Sequence, residues 1–176
     1  MLNTTARWVS LIGLIALLGC AGRTAVSTGT PSTVRVCRTS QLRGSFGRLD
    51  AGVGQRYVQL TLTNASREVC SVSGYPRVQL VAGDGSPTPT VVVRTGAGSV
   101  HRLTVSSGRR VSSLLHWIGI PLSDESQTGP CETTPARASV MPPGEATALS
   151  VDWRFGPVCG HGQIDISPLR PGRPSR

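Results

Sequence analysis

The chain has 176 residues, which is room for one domain and not comfortably for two, and its formal net charge is +9. The chain has 18 arginines and no lysine. The absence of lysine excludes a P-loop lysine, Schiff-base catalysis and the Ser-x-x-Lys acylases. The arginines are scattered, with Arg109 and Arg110 the only adjacent pair, so the charge predicts no specific nucleic-acid binding.

The first segment is typical of an export signal. Residues 1–8 carry one basic side chain, Arg7, and residues 9–18 are apolar except for Ser10. A transmembrane helix needs about 20 apolar residues, and this run is about half that length, as in the h-region of a signal peptide. We therefore predict that the domain lies outside the cytoplasm.

The apolar run ends in Leu17-Leu18-Gly19-Cys20, which resembles the lipobox of bacterial lipoproteins. The resemblance implies that residues 1–19 are removed as a lipoprotein signal peptide. Cys20 then becomes the lipidated first residue, and the acyl chains hold the protein on the outer side of the cell membrane. An ordinary signal peptide with a chance cysteine at its end is the alternative.

The cysteine count supports export. Without Cys20 there remain four cysteines, an even number that favours two disulfides among three possible connectivities. We favour Cys37 with Cys70 and Cys131 with Cys159, because each pair brackets one contiguous stretch. Metal binding is the rival interpretation, and the absence of any Cys-x-x-Cys spacing argues against it.

Composition divides the rest of the chain into three parts. Residues 20–33 are small and polar and predict a flexible tether behind the lipid. Residues 170–176 are rich in proline and arginine and predict a disordered tail. The domain itself is expected at residues 34–169.

The domain is predicted to be all-β. Residues 55–63 alternate strictly, with Val58, Leu60 and Leu62 on one face. Short strands separated by Gly and Pro are typical of a sandwich of two antiparallel sheets. The predicted strands are 55–63, 68–73, 77–82, 100–105, 111–120, 137–140, 146–153 and 163–167.

Several segments are similar to one protein family. The segment YVQLTLTNASREVCSVSGYPRVQL (57–80) resembles the actinobacterial secreted proteins grouped as domain of unknown function 4232, in which a strand ending in Leu-Thr-Asn precedes a cysteine and then Gly-Tyr-Pro. LTVSSGRRVSSLLHW, SVMPPGEATALSVDW and VCGHGQIDISPL also fit its pattern. The resemblance covers about residues 36–169. It implies an immunoglobulin-like sandwich, two disulfides and frequent lipoprotein anchoring, and it implies no activity.

The three histidines are the first candidates for a site. His101 alternates in phase with Leu103 and Val105, and His116 lies beside Trp117, so both are predicted to be partly buried strand residues. His161 follows Cys159 at a spacing that could serve a blue-copper site.

Two features argue against copper at His161. No methionine follows His161, and a disulfide at Cys159 would remove the thiolate. We predict no metal, no cofactor and no catalytic residue.

Other chemistry has little support in the sequence. Gly-x-Ser-x-Gly is absent, and the sequence shows no cysteine–histidine arrangement of the kind that cysteine transpeptidases require. Asp124 and Glu125 are expected to be solvated loop carboxylates. Trp117 and Trp153 could line a sugar-binding groove, but are expected to fill the core.

Two functions follow. The first is a noncatalytic binding module at the cell envelope, bound to the membrane through its lipid and contacting an envelope polymer or a protein ligand. The alternative is a cell-wall hydrolase with an unrecognised site. The sequence is silent on oligomeric state.

Overall fold

The computed structural model describes residues 33–172 except Ala97 and Ser99. The predicted signal peptide, Cys20 and nearly all of the tether lie outside the described residues. Among the described residues, no helix is long and apolar enough to cross a membrane.

Short strands make up most of the regular structure, and the one helical element described is a 3-10 turn at Thr39–Gln41. In chain order the strands are β1 (Leu42–Phe46), β2 (Asp50–Gly52), β3 (Gln55–Asn64), β4 (Cys70–Val72), β5 (Arg77–Val81), β6 (Val91–Arg94), β7 (Leu103–Val105), β8 (Arg110–Ile118), β9 (Arg137–Met141), β10 (Leu149–Asp152), β11 (Gln163–Ile166) and β12 (Arg170–Pro171).

The largest sheet is built around the two longest strands, β3 and β8. They pair antiparallel over their whole length, from Gln55 opposite Ile118 to Thr63 opposite Arg110. The order is β1-β3-β8-β11-β6, with β2 added to β3 and β12 added to β8. Every pair in it is antiparallel except β6 with β11, which is parallel.

Two smaller sheets complete the domain. One has the order β10-β9-β5, and the other pairs β4 with β7. Because side chains alternate between the faces of a strand, β3 buries Val58, Leu60 and Leu62 and turns polar residues outward. The three-stranded sheet contributes Leu80 and Val140 to the same core.

The core contains an aromatic cluster at one end. Trp117 and Trp153 are 1% and 3% exposed, and their ring centroids lie 5.0 Å apart. Phe46 and Phe155 pack edge-on against Trp153. Each fully buried large apolar side chain contributes about 1.5–3 kcal/mol, and the two tryptophans fill the core as expected.

Disulfides join Cys37 to Cys70 and Cys131 to Cys159, the pairing favoured from the sequence. They lie at opposite ends of β8. Cys70 pairs with Val105 in β7, just before the turn into β8, whereas Cys159 bridges to Ile118, where β8 ends.

The predicted all-β class, with open antiparallel sheets and two disulfides, is confirmed, and the immunoglobulin-like strand order stays a prediction. The eight predicted strands are present, several of them shorter. The sequence missed β1, β2, β6 and β12. Arg170 and Pro171 were expected in the disordered tail and instead pair with Ser112 and Val111 of β8.

Candidate functional site

A long loop and a tight turn meet where β8 ends. The backbone N–H of Cys159 donates to the Ile118 carbonyl, and the disulfide ties Cys159 to Cys131. The loop 119–132 and the turn 159–162 are thereby fixed against each other. We call this region the carboxylate end, after Asp124, Glu125, Glu132 and Asp165.

Glu125 holds the loop to the turn. Its side chain is only 2% exposed. One carboxylate oxygen accepts the Leu122 N–H at 2.6 Å and the other accepts the His161 N–H at 2.8 Å. Burial alone would raise the pKa of Glu125, but the hydrogen bonds from the backbone of His161, Leu122 and Gly160 outweigh it and hold the pKa below its ordinary value.

The turn presents His161 in a left-handed backbone conformation. The φ angles are 68° at Gly160, 56° at His161 and 76° at Gly162. Residues other than glycine rarely adopt this backbone conformation. A Cβ at position 162 would lie 2.2 Å from the Pro89 carbonyl oxygen, so glycine is required there. The turn therefore places His161 beside Glu125 of the loop 119–132.

Carboxylates surround the His161 ring. Its Nε2 lies 3.2 Å from Asp124 Oδ2, and its Nδ1 lies 3.9 Å from Glu132 Oε1 and 4.0 Å from Glu125 Oε1. The ring is 56% exposed, so solvent weakens these attractions.

His116 occupies the outer face of β8, beside β3 and β11. Its Nδ1 lies 3.2 Å from Asp165 Oδ2 and its Nε2 lies 2.5 Å from Gln55 Oε1. Tyr57 stacks on the ring, with centroids 4.5 Å apart and planes inclined at 22°. Gln163 donates to Asp165, which extends the hydrogen-bonded row to four side chains.

A cavity of about 330 Å³ lies between the two histidines. We call it the His116 pocket, and its volume is in the range of small-molecule sites. Gln55, His116, His161 and Asp165 supply polar walls, and Ile118 and Leu122 supply apolar ones.

Negative charge is concentrated around this pocket. Four of the nine acidic residues of the chain lie at the carboxylate end. Among the ion pairs of the described residues, those that involve these four acids all go to His116 or His161. Anionic ligands are therefore disfavoured here, and hydrogen-bond donors are favoured.

The same geometry defines what the site can do chemically. Among the described residues, the ring nitrogens of His116 and His161 contact amide or carboxylate oxygens and not a hydroxyl or thiol nucleophile. Glu125, Glu132 and His161 place one ligand atom each within 4.8 Å of one another, but Glu125 already accepts backbone N–H bonds that a cation would disturb. Cys159 is in a disulfide, which excludes a copper thiolate while that bond is intact.

Two expectations about individual residues were wrong. His101 was expected to be partly buried in a strand, but it is exposed and precedes β7, because the partner strand β4 is long enough to pair only with 103–105. Glu125 was expected to be solvated with Asp124. Asp124 is exposed, but Glu125 is buried and accepts a backbone N–H from His161, which is distant in sequence. His116 is partly buried in β8, as predicted.

Fold and site together define a disulfide-crosslinked, all-β domain with a polar pocket on the outer face of its main sheet. The chain belongs to the family described as Domain of unknown function (DUF4232), whose model matches residues 37–170. The resemblance seen in the sequence is thereby confirmed. Neither the curated proteins nor the solved structures contain a match.

Proposed function

We propose that this protein is a lipoprotein of the cell envelope, held on the outer side of the membrane through Cys20, whose β-domain binds a ligand without transforming it. One observation supports the noncatalytic part most strongly. Both ring nitrogens of His116 already contact side chains of the domain itself, Asp165 and Gln55, so the ring would have to break one of these contacts before it could exchange a proton with a substrate.

The His116 pocket suits a ligand rich in hydrogen-bond donors. Amide and carboxylate oxygens recognise hydroxyl and amino groups, and the Tyr57 ring, 37% exposed, offers an apolar face beside them. These features favour a neutral or amine-bearing sugar segment of a wall polymer over an anionic one.

The anchor is tested by replacing its attachment point. In Cys20→Ala the thiol that takes the lipid is absent, so we expect the protein to leave the detergent phase, whereas wild type and the tether control Thr28→Ala stay in it. If wild type and Cys20→Ala partition into the same phase, the anchor proposal is wrong.

Binding is tested with solubilised peptidoglycan fragments and a lipid-free chain that begins at Ala21. This chain retains Thr33–Arg176, which forms a compact unit of its own. Asp165→Asn and His116→Gln each remove a charged or imidazole partner and should weaken binding by about tenfold or more. Thr61→Ala, on the same outer face but away from the pocket, should bind like wild type.

The hydrolase alternative predicts a different result. Product release from the fragments by purified protein, abolished in His116→Gln or His161→Ala and retained in Thr61→Ala, would establish turnover and reject the noncatalytic proposal. Binding without product formation supports it.

A further inference from the structure

The opposite end of β8 carries a second cavity, which is basic. It has a volume of about 310 Å³, and its lining includes Arg102, Arg109 and Arg110 but no aspartate or glutamate. Arg109 and Arg110 are the only adjacent arginine pair in the chain. We call this region the arginine end.

Backbone pairing fixes where these arginines lie. Arg110 is opposite Thr63 in the ladder between β3 and β8, and its carbonyl accepts the Gly172 N–H at 2.8 Å. The Arg109 carbonyl accepts the Asn64 N–H at 3.0 Å. The Arg102 side chain donates to Ser71 Oγ at 3.0 Å and to the Val34 carbonyl at 2.7 Å. The three arginines that line the cavity are therefore attached to backbone that is held in place.

The described domain begins at the same place. Because Arg102 binds the carbonyl of Val34, the chain enters the domain at the wall of this cavity. The tether predicted from the sequence between Cys20 and Val34 lies almost wholly outside the described residues, and a flexible chain of that length would have a root-mean-square reach of about 20 Å. A domain anchored through Cys20 therefore has its arginine end within reach of the membrane surface.

We propose that the arginine end binds the phosphate groups of anionic phospholipids in the membrane that holds Cys20. Guanidinium groups bind phosphate oxygens in paired hydrogen bonds, and anionic leaflets attract basic side chains within a Debye length. The choice of membrane lipid rests on the proposed anchor. Bound in this way, the domain turns its His116 pocket away from the bilayer, with His116 about 20 Å along β8 from Arg110.

The test uses the chain that begins at Ala21, which carries no lipid, so that its outcome is independent of the anchor experiment. Flotation with phosphatidylcholine vesicles, with and without phosphatidylglycerol, measures the affinity. Each basic residue near an anionic surface is worth about a fivefold change. Arg109→Gln/Arg110→Gln should therefore bind phosphatidylglycerol vesicles about thirtyfold more weakly than the wild-type chain.

A control double variant removes the same charge elsewhere. Arg48 and Arg154 are exposed residues outside the cavity, and Arg48→Gln/Arg154→Gln should lose no more than about threefold. Equal losses in the two double variants would show general charge attraction only and overturn the proposal. Intact disulfides and unchanged far-ultraviolet circular dichroism establish that both variants are folded.

A soluble competitor distinguishes the lipid from other phosphates. Glycerol phosphate at millimolar concentration should displace little protein from the vesicles, because one soluble phosphate lacks the field of a charged surface. The opposite result is that glycerol phosphate binds the protein, depends on Arg109 and Arg110, and the vesicles do not bind. The ligand is then a soluble phosphate compound, and the membrane proposal fails. If only the Cys20→Ala experiment fails, the anchor proposal is rejected and the vesicle-binding result is unaffected.

Discussion

The carboxylate end and the arginine end hold their loops in the same way but with different chemistry. Each has a disulfide and a buried polar side chain that bonds the backbone of its loop. At the arginine end this side chain is Asn64, fully buried, whose Nδ2 donates to the carbonyls of Glu68 and Val105 at 2.7 and 2.8 Å. At the carboxylate end it is Glu125, which accepts N–H groups instead.

The difference lies in how each end responds to its surroundings. An amide is neutral at every pH, so the loop bonded by Asn64 is insensitive to protons. A carboxylate bonds fully only when ionised, and the ring of His161 lies beside it. The arginine end is thus a fixed scaffold, whereas the structure of the carboxylate end depends on charge.

Removal of each disulfide gives the largest expected effect. The crosslinks span 33 and 28 residues, so chain entropy predicts a similar loss of about 3.5 kcal/mol for each. Cys37 and Cys70 are 0% and 1% exposed, and their truncation also leaves a cavity. We expect Cys37→Ala/Cys70→Ala to lose about 5 kcal/mol of unfolding free energy, and Cys131→Ala/Cys159→Ala about 4 kcal/mol, measured by urea denaturation. Equal losses would show that burial of the first pair adds nothing.

Substitution of two glycines in the left-handed backbone conformation, one at each end, should give the next largest loss of stability. Gly162 at the carboxylate end and Gly108 at the arginine end have φ angles of 76° and 71°. A Cβ at 108 meets nothing, whereas one at 162 meets the backbone of Pro89. Gly108→Ala should cost about 1 kcal/mol and Gly162→Ala about 2–4 kcal/mol in thermal unfolding. A Gly162→Ala protein as stable as Gly108→Ala would mean that the turn 159–162 yields easily.

Asn64→Ala tests the neutral side of the comparison. The substitution leaves the Val105 carbonyl buried without its donor, and should cost about 2–3 kcal/mol at any pH between 4 and 8. Gln59→Ala, which removes an amide exposed on the outer face of β3, is the control and should cost less than about 1 kcal/mol. If the loss of unfolding free energy in Asn64→Ala varies strongly with pH, the loop bonded by Asn64 is not insensitive to protons.

Glu125→Gln tests the charged side. The pKa of Glu125 is lower in the folded protein than its ordinary value of 4.5. Its stabilisation is therefore complete above the unfolded pKa and is lost as the pH falls through the folded pKa. At pH 7 the variant should lose about 1–2 kcal/mol, and the difference from wild type should shrink below about pH 4. Glu132→Gln, which lacks these backbone bonds, should show neither effect when urea unfolding is compared at pH 7 and pH 3.

The sequence predicted the fold wherever a strand is long and has one buried face. Strand β3 alternates, so Val58, Leu60 and Leu62 could be assigned to its buried face, and the mostly apolar run of β8 marked it as a strand. β1 contains Gly44 and Ser45 and buries little, and β12 contains a proline, so neither carries a strand pattern. β6 was missed although its three consecutive valines favour a strand; its parallel partner is distant in sequence, and only that pairing lacks a local signal.

The site was less predictable because its contacts join distant segments. His116 was correctly placed in a strand, but its partners Gln55 and Asp165 are 61 and 49 residues away. The Asp-Glu pair at 124 and 125 looks solvated because the sequence cannot show that a backbone N–H 36 residues later binds Glu125. Gln55 and Tyr57 were not singled out from the sequence, although the same alternation that buries Val58 puts them on the outer face of β3, and that signal points to the pocket once the neighbours of β3 are known.

The disulfides also determine which parts of the domain can stretch under mechanical load. Tension applied between residue 33 and the end of β12 passes directly from Cys37 to Cys70 and from Cys131 to Cys159. The chain of β1, β2, β3, β9 and β10 lies inside these shortcuts and cannot be extended while the bonds are intact. Extension is therefore confined to the chain of β4 to β8, β11 and β12. Single-molecule pulling should therefore give an extended length shorter by about 200 Å without a thiol reductant than with one, since an extended chain spans about 3.3–3.6 Å per residue. An unchanged length would mean that neither bond carries the load.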